Sequence, residues 1–335
     1  MFQKNISLKP YNTFGVKAYA DSFVSVTSID LLQKIVAKHK DLFVLSGGSN
    51  VLITKNIRQP VLHLNIQGKS IRKNKEENIV FVKAMAGENW HEFVLWTLEN
   101  NFGGLENLSL IPGNVGTSPM QNIGAYGIEI KDVFHKLEAL EIESGKLKTF
   151  YKDDCNFGYR ESVFKNILKC KYIIVSVTFQ LTKNIHKLNT SYGAIQTELE
   201  KNNIKKPSIK DVSNAIIAIR ESKLPDPKEI GNSGSFFKNP VVSIDQFKYL
   251  EKEYPNMPYY KVSDKTIKIP AGWLIEQCGF KGKRFGNAGV HKDQALVLVN
   301  YGNATGNEIL DLANNILKTV SNKFGIDLEI EVNII

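Results

Sequence analysis

The sequence predicts an α+β protein of about three domains, because a chain this long exceeds what one ordinary core holds. Three observations carry that reading. The chain has 335 residues, 42% of them hydrophobic and 10% aromatic, a normal composition for a globular protein. Its first third alternates short apolar strands with amphipathic helices. Then Leu224-Pro225-Asp226-Pro227 ends a helix and separates a remainder of different composition.

Phe23-Val24-Ser25-Val26 reads as a strand, and Ser28 can cap a helix reaching Lys38, with Leu31, Leu32, Ile35 and Val36 on one face. Leu42 to Leu45 is a buried strand that opens into Ser46-Gly47-Gly48-Ser49-Asn50. Val61 to Leu64 and Ile79 to Ala84 are further strands, followed by a helix from Trp90 to Asn100. Ile130 to Tyr151 predicts a hairpin turning at Ser144-Gly145, and Tyr172 to Leu181 a strong strand. Helices at Tyr192–Lys201 and Asp211–Ser222 lead to the prolines. Beyond them come helices near Ile244–Tyr254 and Ala271–Cys278 and a strand at Ala295–Asn300. A long helix at Asn307–Phe324 carries Leu310, Ala313, Leu317, Val320 and Phe324 at helical spacing, and a last strand runs from Asp327 to Ile334. No internal repeat or low-complexity segment interrupts this order.

The 43 basic and 34 acidic residues give a net charge of +9. The lysines are scattered among acids; only Ile71-Arg72-Lys73-Asn74-Lys75 and Lys205-Lys206 are locally basic, and both read as loops. That pattern suits a solvated surface or phosphate-bearing ligands better than nucleic acid. No apolar run approaches the roughly 18 residues of a membrane helix, and the first residues, Met1 to Ile6, lack the apolar stretch of a secretion signal. Cys155, Cys170 and Cys278 are odd in number and widely spaced, so reduced, mostly buried thiols in a cytoplasmic protein are expected, with no metal site.

Four segments suggest chemistry. Leu45 to Leu52 can turn successive amide N–H groups outward as a nest for a diphosphate, although a plain tight turn satisfies the same residues. Ile111-Pro112-Gly113-Asn114-Val115-Gly116-Thr117 continues through Gln121-Asn122-Ile123-Gly124-Ala125-Tyr126-Gly127. So many glycines make a poor core element and a good backbone wrap for a flat or phosphorylated ligand. Two such loops point to a large nucleotide cofactor. Phe157-Gly158-Tyr159-Arg160-Glu161-Ser162 offers an arginine, whose plain reading is a surface ion pair with Glu161. In Gly231-Asn232-Ser233-Gly234-Ser235-Phe236-Phe237, the two aromatics are expected to screen the Ser235 hydroxyl from water and suit it to act as an acid. On the final strand, Glu329 and Glu331 share one face, which the alternation of Leu328 and Ile330 directs toward solvent.

Taken in order, Gly-Gly-Ser-Asn, Ile-Pro-Gly-x-Val-Gly, Gln-Asn-Ile-Gly-Ala-Tyr-Gly, Phe-Gly-Tyr-Arg-x-Ser, Gly-Ser-Phe-Phe-Lys-Asn-Pro, Ala-Gly-Trp-Leu-Ile-Glu and Leu-Glu-x-Glu-Val resemble the UDP-N-acetylenolpyruvoylglucosamine reductase family. The likeness runs from Leu8 to Val332. It implies a two-part FAD-binding region of the vanillyl-alcohol-oxidase-like type, residues 1–66 and 67–223. A smaller α/β substrate-binding domain at 224–326 and a C-terminal strand at 327–335 would complete the chain. The implied reaction is NADPH-dependent, FAD-mediated reduction of UDP-N-acetylglucosamine enolpyruvate to UDP-N-acetylmuramate, in a cytoplasmic monomer that binds neither membrane nor nucleic acid.

By the same resemblance, Arg160 and Glu331 stabilise the enol intermediate and Ser235 protonates it. FAD would rest on Gly47, Gly48, Ser49, Asn50 and Val51 and on Pro112, Gly113, Gly116, Thr117 and Gly124. Tyr126, Lys223, Asn239, Tyr260 and Gln294 fall where the family binds the UDP-sugar or nicotinamide cofactor. Asn189-Thr190-Ser191-Tyr192-Gly193 resembles the tyrosine loop of one subclass, which makes Tyr192 a lid residue. Ser46 departs from the glycine more usual in the flavin loop. Two rival readings are another FAD-dependent oxidoreductase with the same flavin domain, and a basic nucleic-acid-binding protein.

Overall fold

The computed structural model describes residues 2–74 and 76–335; Met1 and Lys75, the last residue of the basic stretch 71–75, lie outside them. The chain forms two compact units, each drawing on several lengths of sequence. One comprises Met1–Ile6, Ala20–Gly47 and Ile57–Ser222; the other Ser7–Tyr19, Gly48–Asn56 and Lys223–Ile335.

In the first unit, strands Tyr19–Val26, Val61–Leu64 and Phe43–Leu45 lie parallel, a pairing that needs a crossover. Helix Ile29–Val36 supplies one. Ser28 Oγ accepts from Leu31 N at 3.1 Å, and Leu32, Ile35 and Val36 are buried. Such a cap stabilises by about 1 kcal/mol. A five-stranded antiparallel sheet follows, ordered Leu147–Tyr151, Phe134–Glu141, Tyr172–Thr182, Ile79–Met85, Lys69–Lys73. Its central strand, expected as a strong strand, is buried from Ile173 to Phe179, with Ser176 and Thr178 its polar members. Asn89 caps helix Trp90–Glu99, which lays Trp90 and Phe93 against Phe179 with ring centroids 5.8 and 5.3 Å away. Trp90 Nε1 donates to Leu108 O at 2.9 Å, so the buried indole leaves no unmet donor and ties this core to the loop after residue 105.

The second unit has an antiparallel sheet ordered Gly231–Ser235, Val297–Asn300, Ala288–Val290, Arg284–Phe285. Helix Gly306–Phe324 covers its core. Thr305 and Glu308 form a reciprocal box at its start, and Gly325 ends it in the left-handed region at φ +61°. The buried stripe is Ile309, Leu312, Ala313, Ile316, Val320 and Phe324; Leu310 and Leu317 flank it, so the face is rotated from the one expected.

Several expectations need correction. Residues Ile130–Val133 form a helical turn, because Glu129 and Asp132 cap it reciprocally, and the hairpin strand starts at Phe134. Ile71 to Lys73 are not loop but the end of an edge strand, where lysines are well tolerated. The final strand shrinks to Asn333–Ile334 plus one bridge between Phe237 and Ile330. Only Cys155 is a buried thiol, pushed up to about 12 by burial and then by Asp154; Cys170 is exposed and Cys278 lies between. Among the described residues no helix is long and apolar enough to cross a membrane.

Candidate active site

Within the first unit the two glycine-rich loops meet. A Cβ on Gly47 would stand 2.8 Å from Asn114 Oδ1 and 3.0 Å from Gly113 Cα, so only glycine lets them close. Gly116 is equally confined, its hypothetical Cβ 2.5 Å from Ala86 Cβ. Thr117 Oγ1 donates to Asn114 O at 2.9 Å, and Trp90 N donates to Gly113 O at 2.9 Å, which fixes the second loop to the core. Beside Gly47, Ser46 Oγ is buried and finds no hydrogen-bond partner. A buried hydroxyl without a partner costs about 1–3 kcal/mol, unless a ligand oxygen meets it. This cradle and its orphaned hydroxyl fit a dinucleotide diphosphate.

Arg160 lies on a tight turn closed by hydrogen bonds between Gly158 and Glu161, itself in the left-handed region at φ +56°. Its Nη2 donates to Gly124 O at 2.8 Å, while the Glu161 carboxylate is met by Lys165 and Asn166. Arg160 therefore reaches the second glycine loop, a contact that the plain reading of a surface ion pair did not include. Asn122, fully buried, makes that contact possible. Its Nδ2 donates to Gly158 O at 2.9 Å and to Glu129 Oε2 at 3.0 Å, and its Oδ1 accepts from Lys131 N at 3.0 Å. Farther along, Tyr126 and Tyr192 meet edge to face with centroids 5.5 Å apart. Tyr192 is exposed and caps helix Gly193–Lys201 rather than starting it.

Two further residues of this unit escaped the sequence reading. Arg220, on the last turn of helix Ile209–Glu221, lies beside the Tyr126 phenol, and its Nε is buried with no partner. Burial chiefly, and Arg160 nearby, lower its affinity for the proton from the usual arginine value; burial also raises the Tyr126 phenol. The residue reads from sequence as an ordinary basic helix C-terminus. Asn107 donates to Tyr126 O and Asn189 O, joining segments 63 residues apart that no periodicity links.

The second unit gathers another set. Thr13 Oγ1 donates to Gly48 O at 3.4 Å and lies 3.3 Å from Ser233 Oγ. Gly48 sits at φ +58° with its absent Cβ 1.9 Å from Tyr11 O, so no other residue fits. Asn50 Nδ2 donates to Glu331 O at 3.3 Å, and Glu331 N donates to Phe236 O at 2.8 Å. Loop 48–51, Glu331 and Phe236, the residue after Ser235, are thus joined through successive hydrogen bonds. Val51 pairs with Asn333 beside them.

Ser235 itself is exposed, contrary to the screened hydroxyl expected. Phe236 and Phe237 are 0% and 1% exposed because they anchor the strand in the core, packing with Phe14 and each other. Glu329 and Glu331 also differ: Glu329 pairs with Lys238 at 2.8 Å with its side chain 72% exposed, whereas Glu331 is half-buried. Asn239 Oδ1 accepts from Ala271 N at 2.9 Å at the start of helix Ala271–Gln277, and Gln294 Oε1 lies 3.2 Å from where a Cβ on Gly272 would stand. These two residues flank one helix end. Tyr260 is exposed, with Lys268 Nζ 5.9 Å from its ring centre, and Lys223 is exposed in a turn.

Residues 226–335 match the family described as UDP-N-acetylenolpyruvoylglucosamine reductase, C-terminal domain, and residues 20–151 match a FAD binding domain. The chain is 60% identical to UDP-N-acetylenolpyruvoylglucosamine reductase of Flavobacterium johnsoniae, over 99% of each chain. It is 45% identical to the Pseudomonas putida enzyme of the same name, over 99% of this chain and 98% of that one. A crystal structure of UDP-N-acetylenolpyruvylglucosamine reductase from Thermus caldophilus shares the fold, with a TM-score of 0.70 at 21% identity over 100% of this chain and 99% of the other. The α+β class and the flavin-binding region expected from the motifs are borne out, and the chain belongs to the UDP-N-acetylenolpyruvoylglucosamine reductase family.

Proposed function

We propose that this protein reduces UDP-N-acetylglucosamine enolpyruvate to UDP-N-acetylmuramate, with FAD as its bound cofactor and NADPH as reductant. The observation that carries the reading is the linkage of loop 48–51 to Glu331, and of Glu331 to the residue beside Ser235, by Asn50 and the Phe236 carbonyl. A cofactor loop, a hydroxyl and a carboxyl arrive together in the second unit.

FAD would lie on Gly47 to Val51 and on Pro112, Gly113, Gly116, Thr117 and Gly124, and when bound it supplies hydride transfer between NADPH and the enolpyruvyl C3. Reduction then leaves negative charge at C2 and in the adjacent carboxylate, which must be stabilised and protonated. Arg160 is the cation for that charge, its planar guanidinium offering several donors to a carboxylate. Glu331 assists as a protonated or proton-sharing carboxyl, since an ionised one would oppose the charge. Ser235 delivers its proton to C2. A hydroxyl is a weak acid, but a carbanion-like carbon is strongly basic, and its exposed position leaves it open to substrate.

Tyr126, Tyr192, Lys223, Asn239, Tyr260 and Gln294 bind the UDP-sugar or the nicotinamide nucleotide. Residues 1–66 and 67–223 serve as flavin subdomains, 224–326 as the substrate domain and 327–335 as the strand delivering Glu331. The protein acts as a cytoplasmic monomer on small molecules, without nucleic acid. Purified protein loaded with FAD should show the flavin spectrum and oxidise NADPH in proportion to added UDP-N-acetylglucosamine enolpyruvate. Failure to take up FAD, or NADPH oxidation indifferent to that substrate, would refute the proposal.

A further inference from the structure

Asn107 is 1% exposed, on a single turn of 3-10 helix, Glu106–Leu108. A buried carboxamide must place both of its N–H donors. Here one goes to Tyr126 O at 3.0 Å and the other to Asn189 O at 2.9 Å. Neither bond serves the turn itself, which closes through Leu108 N to Leu105 O and Ser109 N to Glu106 O. The two acceptors belong to the segments that carry Tyr126 and Tyr192.

Both segments carry polar fastening beside their apolar contacts. Tyr126 sits in the left-handed region at φ +49°, uncommon for a bulky residue and sustained only by its surroundings. Residues 189–191 bury no side chain fully, and their ties are polar. Asn189 Nδ2 donates to Gly127 O at 3.3 Å, and Ser191 Oγ donates to Asn189 Oδ1 at 2.9 Å. The hydrophobic cluster of Ile195, Leu199, Val212, Ala215, Ile216 and Ile219 has Tyr126 and Leu188 packed against it, so apolar contact holds the Tyr126 ring and the residue before Asn189, while residues 189–191 are tied by polar groups. The tyrosine rings stand edge to face at 5.5 Å, and their backbones fix where each ring starts.

We propose that Asn107 is a positioning residue for UDP-sugar binding, clasping the backbones of Tyr126 and Asn189 so that Tyr126 and Tyr192 form one preset substrate-facing pair. This rests on the substrate role proposed above for the two tyrosines. It predicts that Asn107 acts through Tyr192 on substrate affinity and leaves the flavin half-reaction alone.

The experiment is a double-mutant cycle on the FAD-loaded enzyme with Asn107→Ala, Tyr192→Ala and the double variant, measuring KM for UDP-N-acetylglucosamine enolpyruvate, kcat, and stopped-flow flavin reduction by NADPH. Asn107→Asp is the second variant, isosteric but without donors once ionised. Asn107→Ala should raise KM by roughly tenfold, the loss of a buried hydrogen-bonded contact, with flavin reduction unchanged. The double variant should show little rise beyond Tyr192→Ala alone. Multiplying effects would overturn the proposal, as would an Asn107 variant that lowers thermal stability without moving KM. If Tyr192→Ala raises KM and neither Asn107 variant does, the substrate role of Tyr192 stands and the clasp alone is wrong. If Tyr192→Ala leaves KM unmoved, the tyrosine role itself fails and the proposal falls with it.

Discussion

Replacing Gly47 by alanine tests whether the two glycine-rich loops form one cofactor cradle. The added methyl would lie 2.8 Å from Asn114 Oδ1, 3.0 Å from Gly113 Cα and 3.2 Å from Gly113 C. The Asn114 amide can turn aside; the Gly113 backbone, its carbonyl held by Trp90 N and the next residue tied down by Thr117, gives way only if the loop of Gly47 moves off it. Overpacking of this kind costs about 1–3 kcal/mol. Without FAD the loops can part by the few tenths of an ångström required, so the apoprotein should lose little stability. With FAD seated, both loops are committed and the cost falls on binding, about a 5- to 150-fold rise in Kd. Apoprotein titrated with FAD, followed by flavin fluorescence, measures it directly, and thermal melts with and without FAD give the linked shift. Gly193→Ala is the control, since its Cβ would meet nothing within 4 Å. Gly47→Ala protein that binds FAD within twofold of the native chain would refute the shared cradle.

Ser235→Ala should keep its melting temperature, the hydroxyl being exposed, and keep flavin reduction by NADPH while turnover on substrate collapses; near-normal turnover would remove Ser235 as the proton donor. Burial holds His91 below its ordinary value of 6.5, and its Nδ1 accepts from Leu110 N at 2.9 Å, so the neutral ring belongs to the fold. The unfolded chain takes up that proton first, so this contribution is complete above pH 6.5 and declines as pH falls toward the lower folded value. Burial shifts His63, His135 and His291 the same way, so urea unfolding of His91→Gln between pH 7.5 and 5.5 should show a shallower, not absent, acid loss; an unchanged slope would count against the His91 account. Lys238→Met removes an ion pair exposed on its Glu329 side while keeping the largely buried stem, and should cost only about 0–1 kcal/mol in denaturant unfolding. The pairing of the Glu331 segment rests on the main-chain bonds of Phe236 and Lys238, and a loss well above that range would show otherwise.

Much of the scaffold was legible in the sequence where apolar spacing is strict. The Tyr172–Thr182 strand, the Ser28-capped helix and the long C-terminal helix follow from side-chain periodicity and caps that act over a few residues. The stripe of that last helix was misplaced because Leu310 and Leu317 are as apolar as Ile309 and Ile316, and only the packed partner chooses between them. The edge strand Lys69–Lys73 was hidden by its lysines, which resemble a loop when no neighbour is visible.

For the candidate site, residue types and order offered the glycine loops and Ser235 as candidates, while Arg160 and Glu331 were singled out only by the family resemblance, since their local sequence reads as a surface ion pair and a solvated strand face. Their surroundings did not follow from local order. Phe236 and Phe237 lie next to Ser235 in sequence yet turn into the core, leaving the hydroxyl open. Arg160 reaches a carbonyl 36 residues away. Asn107, Asn122 and Arg220 looked ordinary because their partners are distant along the chain. A sequence specifies which groups exist and how often they recur. Which buried donor meets which acceptor is decided only when the tertiary structure removes water and leaves each polar group the partners within its reach.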